Sequence, residues 1–131
     1  MPDTELEEQR ERRGEIAAGI STRTVQILHE YTGRGPTKAH TIINRDSVIV
    51  VLQDTLTKGE RSLVNAGREQ EVLRTRKAYQ EMMREDLTRL VEQSLERPVI
   101  AFLSDNHADP DIGVEFFLLA PSQDGAAAAT A

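Results

Sequence analysis

The sequence contains no cysteine, no tryptophan and no long apolar segment. The absence of cysteine excludes disulfide bonds and thiol chemistry. A membrane-spanning helix needs about 20 mostly apolar residues, whereas the longest apolar runs, SVIVVL and VEFFLL, have the length of strands. The first residues, MPDTELEEQRERR, lack the apolar centre of a secretory signal. We therefore expect a cytoplasmic protein that does not insert into a membrane.

Basic residues are in the minority. The chain has 16 Lys and Arg residues against 22 Asp and Glu residues, which gives a formal net charge of -6. Because a phosphate backbone requires a basic surface, this balance argues against nucleic acid as a partner. With 131 residues, of which 38% are hydrophobic, the chain has the size of one domain with a single core.

Composition divides the chain into three parts. Residues 1–13 alternate acidic and basic side chains without apolar periodicity, which predicts a charged helical lead-in. Residues 14–120 carry the apolar patterns of a folded α+β domain. Residues 121–131, PSQDGAAAATA, have no apolar pattern, and we expect a disordered, Ala-rich tail there.

The first half of the domain predicts a helix followed by a β-hairpin. Apolar residues recur at spacings of three and four from Ile16 to Tyr31, which is typical of one helix face. Gly33 stands where a glycine often ends a helix. Two β-branched segments follow, AHTIIN and SVIVVLQ. The turn-forming residues NRDS between them predict an antiparallel hairpin.

The second half predicts two helices followed by two strands. Thr57 and Glu60 match a capping box at the start of a short helix, which Gly67 ends. A longer helix follows, with an apolar stripe from Val72 to Leu95 and a proline beyond its end. The apolar segments VIAFL and VEFFLL predict the last two strands, joined by the polar loop SDNHADPDIG.

The order α-β-β-α-α-β-β predicts a single α+β domain, in which an antiparallel four-stranded sheet has helices packed on one face. In a strand, odd and even positions face opposite sides of the sheet, and SVIVVL and VEFFLL have apolar residues at both. We therefore expect the sheet face opposite the helices to be apolar as well, and such a face requires a cover. The simplest cover is a second copy of the chain, which predicts a homodimer.

The segment GRGPTK, between the first helix and the first strand, has two interpretations. As a turn, Gly33 ends the helix, and Gly35 and Pro36 direct the chain into the strand. As a binding loop, glycine amides flanked by two cations hold an anion or an acidic partner. A helix precedes the segment and a strand follows it, so it is not a phosphate loop of the GxxxxGK[ST] type. We favour the turn. The candidate binding residues of the alternative are Gly33, Arg34, Gly35, Pro36, Thr37 and Lys38.

The segment SDNHADPD concentrates acidic side chains. Hard cations prefer several oxygen ligands at close spacing. A metal site here would use Asp105, His107, Asp109 and Asp111. The spacing is not that of an EF-hand, and Asp and Asn also favour turns because their side chains bond the local backbone. We favour a structural turn and keep the metal site as the alternative.

The sequence offers no recognisable catalytic group. It lacks the GxSxG elbow of serine hydrolases and has no cysteine nucleophile. Its three histidines lie in unrelated contexts. We predict no catalytic residue and no cofactor, and we favour a non-enzymatic function.

Three segments resemble successive blocks of a known bacterial family. They are YTGRGPTKAHTII, SVIVVLQDTLTKGERSLV and RPVIAFLSDNHADPDIGVEFFLL. The most specific markers are GRGPTK after the first helix and FLSD near the end of the domain. Together the segments resemble the MpsC family, small proteins named for a Na+-translocating, membrane-potential-generating system. The resemblance covers residues 14–120.

The resemblance implies an association with membrane proteins, namely an antiporter-like subunit and a partner linked to inorganic-carbon uptake. It brings no established catalytic residues. It therefore implies a cytoplasmic accessory or regulatory protein, at the inner face of the cell membrane, for a Na+-translocating or carbon-uptake system. The alternative is a small-anion or metal-binding sensor or enzyme that uses the GRGPTK and SDNHADPD segments.

Overall fold

A computed structural model describes residues 2–34 and 38–121. Within these ranges the chain forms three helices and four strands in the predicted order. They are α1 (Pro2–Thr32), β1 (Lys38–Ile43), β2 (Ser47–Gln53), α2 (Lys58–Asn65), α3 (Glu69–Leu95), β3 (Val99–His107) and β4 (Ile112–Leu119). The predicted single α+β domain with an antiparallel four-stranded sheet is confirmed. None of the described helices is long and apolar enough to span a bilayer.

The strands are arranged in the order β1-β2-β4-β3, so β1 and β3 form the two edges of the sheet. β1 and β2 form the predicted hairpin, in which the amide of Asn44 donates a hydrogen bond to the carbonyl oxygen of Ser47 at 2.8 Å. β4 pairs with β2 on one side and with β3 on the other, antiparallel to both. The last strand of the chain therefore lies in the interior of the sheet.

Alternate residues of each strand point towards the helices and build the core. In β2 these are Val48, Val50 and Leu52, each at most 1% exposed. α1 and α3 lie over this face and bury their own apolar side chains against it. The other core residues are Ile20, Ile27, Leu28, Met83, Leu87, Val91, Phe102, Phe117 and Leu119. The intervening strand residues point to the opposite face, which the described helices leave open.

Local signals end and begin the helices at the predicted places. Gly33 follows α1 with a φ of 79°, and its amide donates a hydrogen bond to the carbonyl oxygen of His29 at 2.9 Å. Thr57 and Glu60 form the predicted capping box of α2. Gly67 follows α2 with a φ of 78°. A positive φ is strained for a residue with a Cβ atom, which explains glycine at both positions.

Two boundaries differ from the prediction. α1 begins at Pro2, so the charged lead-in continues the first helix; residues 4–15 are all exposed, so this part needs no apolar face. β3 extends to His107, so residues 104–107 belong to a strand rather than to a loop, because they pair with β4 as far as Ile112.

The division of the chain at residues 13 and 120 stays a prediction. The predicted tail lies, from residue 122 onwards, outside the described residues.

α3 buries a stripe of side chains that is only partly apolar. Its buried residues are Val72, Arg76, Gln80, Met83, Leu87 and Val91. The apolar members were predicted from their spacing, but Arg76 and Gln80 occupy two positions of the same stripe. Met82, next to Met83, is 60% exposed. Polar side chains that reach the core from α3 need partners, and these partners lead to the candidate site.

Candidate functional site

The segment GRGPTK, for which binding of an anion or a partner was the alternative to a turn, begins where α1 ends. The structure describes Gly33, Arg34 and Lys38, whereas residues 35–37 lie outside the described ranges. The Arg34 guanidinium forms an ion pair with Asp54, in which Nη2 lies 3.1 Å from Oδ2. Lys38 is the exposed first residue of β1. The charge of Arg34 is thus shared with a carboxylate of the same chain, and the binding role of this segment stays a prediction.

Asp54 and Arg61 connect this segment to the β3–β4 turn. Asp54 follows β2 with a φ of 58°, and its Oδ1 lies 2.8 Å from Nη2 of Arg61. The same nitrogen of Arg61 lies 3.6 Å from Oδ2 of Asp111. The two segments singled out in the sequence therefore meet in one ion-pair network at the same end of the sheet. The side chains of Arg34, Asp54 and Arg61 are 37–51% exposed, so each of these pairs contributes at most about 1 kcal/mol.

Asp111 is held by contacts that are better shielded from solvent. Its side chain is 10% exposed. One oxygen accepts a hydrogen bond from the hydroxyl of Thr55 at 2.9 Å, and the other accepts one from the amide of Leu56 at 2.9 Å. These bonds tie the β3–β4 turn to the segment between β2 and α2. The carboxylate therefore has a structural role in the described fold.

The other candidate metal ligands point to different partners. Asp105 lies in β3 and accepts a hydrogen bond from the amide of Asn106 at 2.8 Å. His107 ends β3, with Nδ1 2.8 Å from the carbonyl oxygen of Pro110, and Asp109 is exposed in the turn. In the described part of the chain, no group of three or more His, Asp or Glu side chains is arranged to hold a metal ion. The metal site stays a prediction without a converging ligand set.

A buried polar cluster lies between α3 and the sheet. Glu115, in the interior strand β4, is 1% exposed. Its Oε2 accepts a hydrogen bond from the Ser104 hydroxyl of β3, and its Oε1 accepts one from Nε2 of Gln80 at 3.3 Å. Oε1 of Gln80 in turn accepts a hydrogen bond from Nδ2 of Asn106 at 2.8 Å. We call Gln80, Ser104, Asn106 and Glu115 the polar cluster.

The sequence analysis missed the polar cluster. Glu115 lies on the same side of β4 as Phe117 and Leu119, which are both buried, and a spacing of two puts side chains on one face of a strand. This alternation is the signal that leads to Glu115. The burial of Glu115 was not predicted because VEFFLL has apolar residues on both sides of the strand. The sequence therefore does not indicate which side faces the helices.

The environment of Glu115 changes its acidity. Burial raises the pKa of its carboxyl group from 4.5 to about 7, although the hydrogen bonds from Ser104 and Gln80 act in the opposite direction by stabilising the carboxylate. Both protonation states are therefore populated near neutral pH. Perturbed carboxyl groups of this kind concentrate at functional sites.

The polar cluster lies beneath a groove between α3 and the edge strand β3. The groove has a volume of about 500 Å³, with Gln80, Ser104 and Asn106 on its floor and Arg74 and Lys77 of α3 along one side. A second opening of about 200 Å³ shares part of this lining and continues along α3. Behind the floor, a cavity of about 10 Å³ beside the buried carboxyl group has room for about one water molecule. We call the two openings together the α3–β3 groove.

The second candidate site is the sheet face opposite the helices, which we call the open face. Its apolar residues are Ile42, Ile49, Val51, Ala101, Leu103, Ile112, Val114, Phe116 and Leu118. One cross-strand row of four of them spans the whole sheet, from Ile42 on β1 to Leu103 on β3. Leu103 is 66% exposed, and Ile42 and Leu118 are 39% and 37% exposed. Contiguous apolar surfaces are typical of interaction sites.

Comparison with known proteins identifies the family. The family model described as Na+-translocating membrane potential-generating system (MpsC) matches residues 12–121. The chain belongs to the MpsC family. The matched range contains the α3–β3 groove and the open face, so both are features of the MpsC domain of this chain. No curated protein and no solved structure matches the sequence.

Proposed function

We propose that this chain is a non-enzymatic accessory protein that acts as a homodimer, in the cytoplasm, on a Na+-translocating or inorganic-carbon-uptake membrane system. Membership of the MpsC family supports the link to a Na+-translocating system. The open face is the observation that carries the proposal, because one of its cross-strand rows is apolar across all four strands. Such a surface favours association as its function.

The exposure of the open face supports a protein partner. Leu103 is 66% exposed in β3, and its neighbours across the sheet are Phe116 and Ile49. Burying apolar surface gains about 25 cal/mol per Å², so a cover over four strands is favourable. An apolar sheet face of this width is typical of one half of a sandwich of two sheets.

Charge complementarity favours a second copy of the chain as the cover. Lys38 and His40 lie on the open face at the β1 edge, whereas Asp105 lies at the β3 edge, in the same cross-strand row as His40. A two-fold axis parallel to the strands turns one sheet over, so that β1 of each copy faces β3 of the other. His40 of each copy then lies opposite Asp105 of its partner, with Lys38 two positions away along β1, and Ile49 faces Phe116 between the two contacts. The interface is self-complementary, as two-fold symmetry requires.

Sedimentation analysis of two matched variants tests the homodimer. Leu103 and Met82 are exposed to similar extents, 66% and 60%, but only Leu103 lies on the open face. We expect the wild-type chain and Met82→Lys to be dimers. We expect Leu103→Lys to be a monomer, because it places a charge in the apolar interface. A monomeric wild-type chain at about 100 μM, or a dimer that persists in Leu103→Lys, would contradict the proposed interface.

The role in a membrane system is tested in cells. We expect deletion of the chain to lower the Na+-dependent membrane potential, measured with a voltage-sensitive dye. The wild-type chain and Met82→Lys should restore the potential, whereas Leu103→Lys should not. An unchanged potential and unchanged inorganic-carbon uptake after deletion would contradict this role, whatever the oligomeric state.

A further inference from the structure

Two cations of the α3–β3 groove are available to a ligand. Arg74 and Lys77 are three positions apart in α3, so they lie on the same flank of the helix. Neither side chain forms an ion pair or a hydrogen bond with any residue in the described ranges. Arg76 and Arg89, in the same helix, each form an ion pair with a glutamate. The Arg84 guanidinium lies over the Phe102 ring, 5.3 Å from its centre. Arg74 and Lys77 are thus the cations of α3 that line the larger opening without a partner.

The floor of the groove has unused hydrogen-bonding capacity. Nε2 of Gln80 makes only long contacts, 3.3 Å to Glu115 and 3.4 Å to the carbonyl oxygen of Asp105. Ser104 donates its hydroxyl proton to Glu115, which leaves the oxygen lone pairs as acceptors. The amide of Asn106 uses one of its two protons on Gln80. The floor therefore offers both donors and acceptors to a polar ligand.

We propose that the α3–β3 groove binds a small hydroxylated organic anion, whose anionic group lies between Arg74 and Lys77 and whose hydroxyl groups contact the polar cluster. The volume of about 500 Å³ falls within the range of about 300–1,000 Å³ that is usual for small-molecule sites. Asp105 contributes its backbone to the β3 side of the groove, where its carbonyl oxygen lies 3.4 Å from Nε2 of Gln80. The two cations and the polar floor together fit a ligand with one anionic end and one neutral polar end.

Binding in the groove is coupled to the protonation of Glu115, because a bound anion disfavours a second negative charge beneath it. The charged and titratable residues around Glu115 and the groove are Arg74, Arg76, Lys77, Tyr79, Glu81, Arg84 and Asp105. α1 and β2 contribute Leu28 and Leu52 to the cavity beside Glu115. The pKa of Glu115 is raised to about 7, so the affinity should fall as the pH rises from about 6 to about 8.

Isothermal titration of the full chain tests the proposal with three probes. Glycerol 3-phosphate and glycerate both have a hydroxylated three-carbon backbone, which carries a phosphate in the first and a carboxylate in the second. Inorganic phosphate, the third probe, has no such backbone. We expect glycerol 3-phosphate or glycerate to bind with a Kd of about 1 mM or lower, and more tightly than inorganic phosphate. Whichever of these two ligands binds more tightly identifies the preferred anionic group, phosphate or carboxylate. Amide chemical shifts of Ser104 and Asn106 should move on binding.

Two double variants locate the site. Arg74→Ala with Lys77→Ala removes both cations and should weaken binding about tenfold or more, because charge-assisted hydrogen bonds are lost. Arg10→Ala with Lys58→Ala removes the same charge from exposed positions of α1 and α2 and should leave the affinity unchanged. All four positions are exposed and helical, where alanine is well tolerated.

Two results would overturn the proposal: no heat from any probe at about 10 mM, or equal loss of affinity in the two double variants. With glycerate, whose carboxylate stays ionised between about pH 6 and about pH 8, Glu115→Gln should remove the pH dependence of binding. An affinity of the wild-type chain that is constant across the same pH range would overturn the coupling to Glu115. Arg74 and Lys77 belong to α3, on the helical side of the sheet, so the double variant that removes them leaves the open face unchanged.

Discussion

Arg76 and Glu60 form a buried ion pair that joins the middle of the domain to the start of α2. Arg76 is 4% exposed, and its Nε and Nη2 donate hydrogen bonds to the two carboxylate oxygens of Glu60 at 2.9 Å and 2.6 Å. The same carboxylate accepts a hydrogen bond from the amide of Thr57 at 2.9 Å. Arg76 also donates to the carbonyl oxygen of Thr55. One glutamate therefore completes the capping box of α2 and neutralises a cation in the core.

Arg76→Ala is expected to destabilise the chain strongly. It leaves the Glu60 carboxylate and the Thr55 carbonyl without their main partner, and breaking a buried pair in this way costs about 3–5 kcal/mol. Arg74→Ala, two positions away on the exposed side of α3, should cost no more than about 0.5 kcal/mol. Urea unfolding of both variants measures the difference. Equal stabilities would show that the ion pair contributes nothing.

Glu115→Gln is expected to remove most of the pH dependence of stability between pH 4.5 and about 7. In this window the folded chain holds a proton on Glu115 that the unfolded chain has lost, so the stability of the wild-type chain falls as the pH rises. The pKa difference corresponds to about 3 kcal/mol in total. The free energies of unfolding of the wild-type chain and of Glu115→Gln should therefore be similar at low pH. At high pH the variant should be the more stable of the two. A parallel slope in the variant would contradict the assignment to Glu115.

Gly33→Ala and Gly19→Ala should change stability in opposite directions. Gly33 has a φ of 79°, so alanine there is strained by about 1 kcal/mol. Gly19 lies inside α1, and a Cβ atom added there meets nothing within 4 Å, so alanine should stabilise the chain by about 0.5–1 kcal/mol. Thermal unfolding of the two variants checks both signs. A stabilised Gly33→Ala variant would be inconsistent with the helix end described above.

The orientation of the homodimer is tested by exchanging charges. Lys38→Glu should weaken the dimer about three- to tenfold, because it reverses a charge at the β1 edge and places a carboxylate diagonally across from Asp105 of the partner copy at each edge contact. Adding Asp105→Lys should restore the affinity, and high salt should reduce both effects. Sedimentation equilibrium gives the dissociation constants. If the double variant is as weak as Lys38→Glu, β1 does not face β3 of the partner copy.

Signals between near neighbours in the sequence determined the elements of this chain. The spacing from Ile16 to Tyr31, the capping box at Thr57 and the glycine after each of the first two helices act over a few residues, and each is confirmed. The antiparallel hairpin follows from the NRDS turn in the same way. The resemblance to the MpsC family, carried by segments along the whole domain, was also available from the sequence, and the family match confirms it.

Only the tertiary structure decided which polar groups meet. The insertion of β4 between β2 and β3 brings Glu115 opposite Ser104 and under Gln80, which is 35 positions away in the sequence. The network that links Arg34, Asp54, Arg61 and Asp111 likewise forms only because these residues lie at the same end of the sheet. β2 and β4 have apolar residues on both sides, so the sequence did not indicate which side of the sheet faces the core. The packing of α1 and α3 on one side settled it, because those helices bury one set of alternate residues and leave the other set exposed.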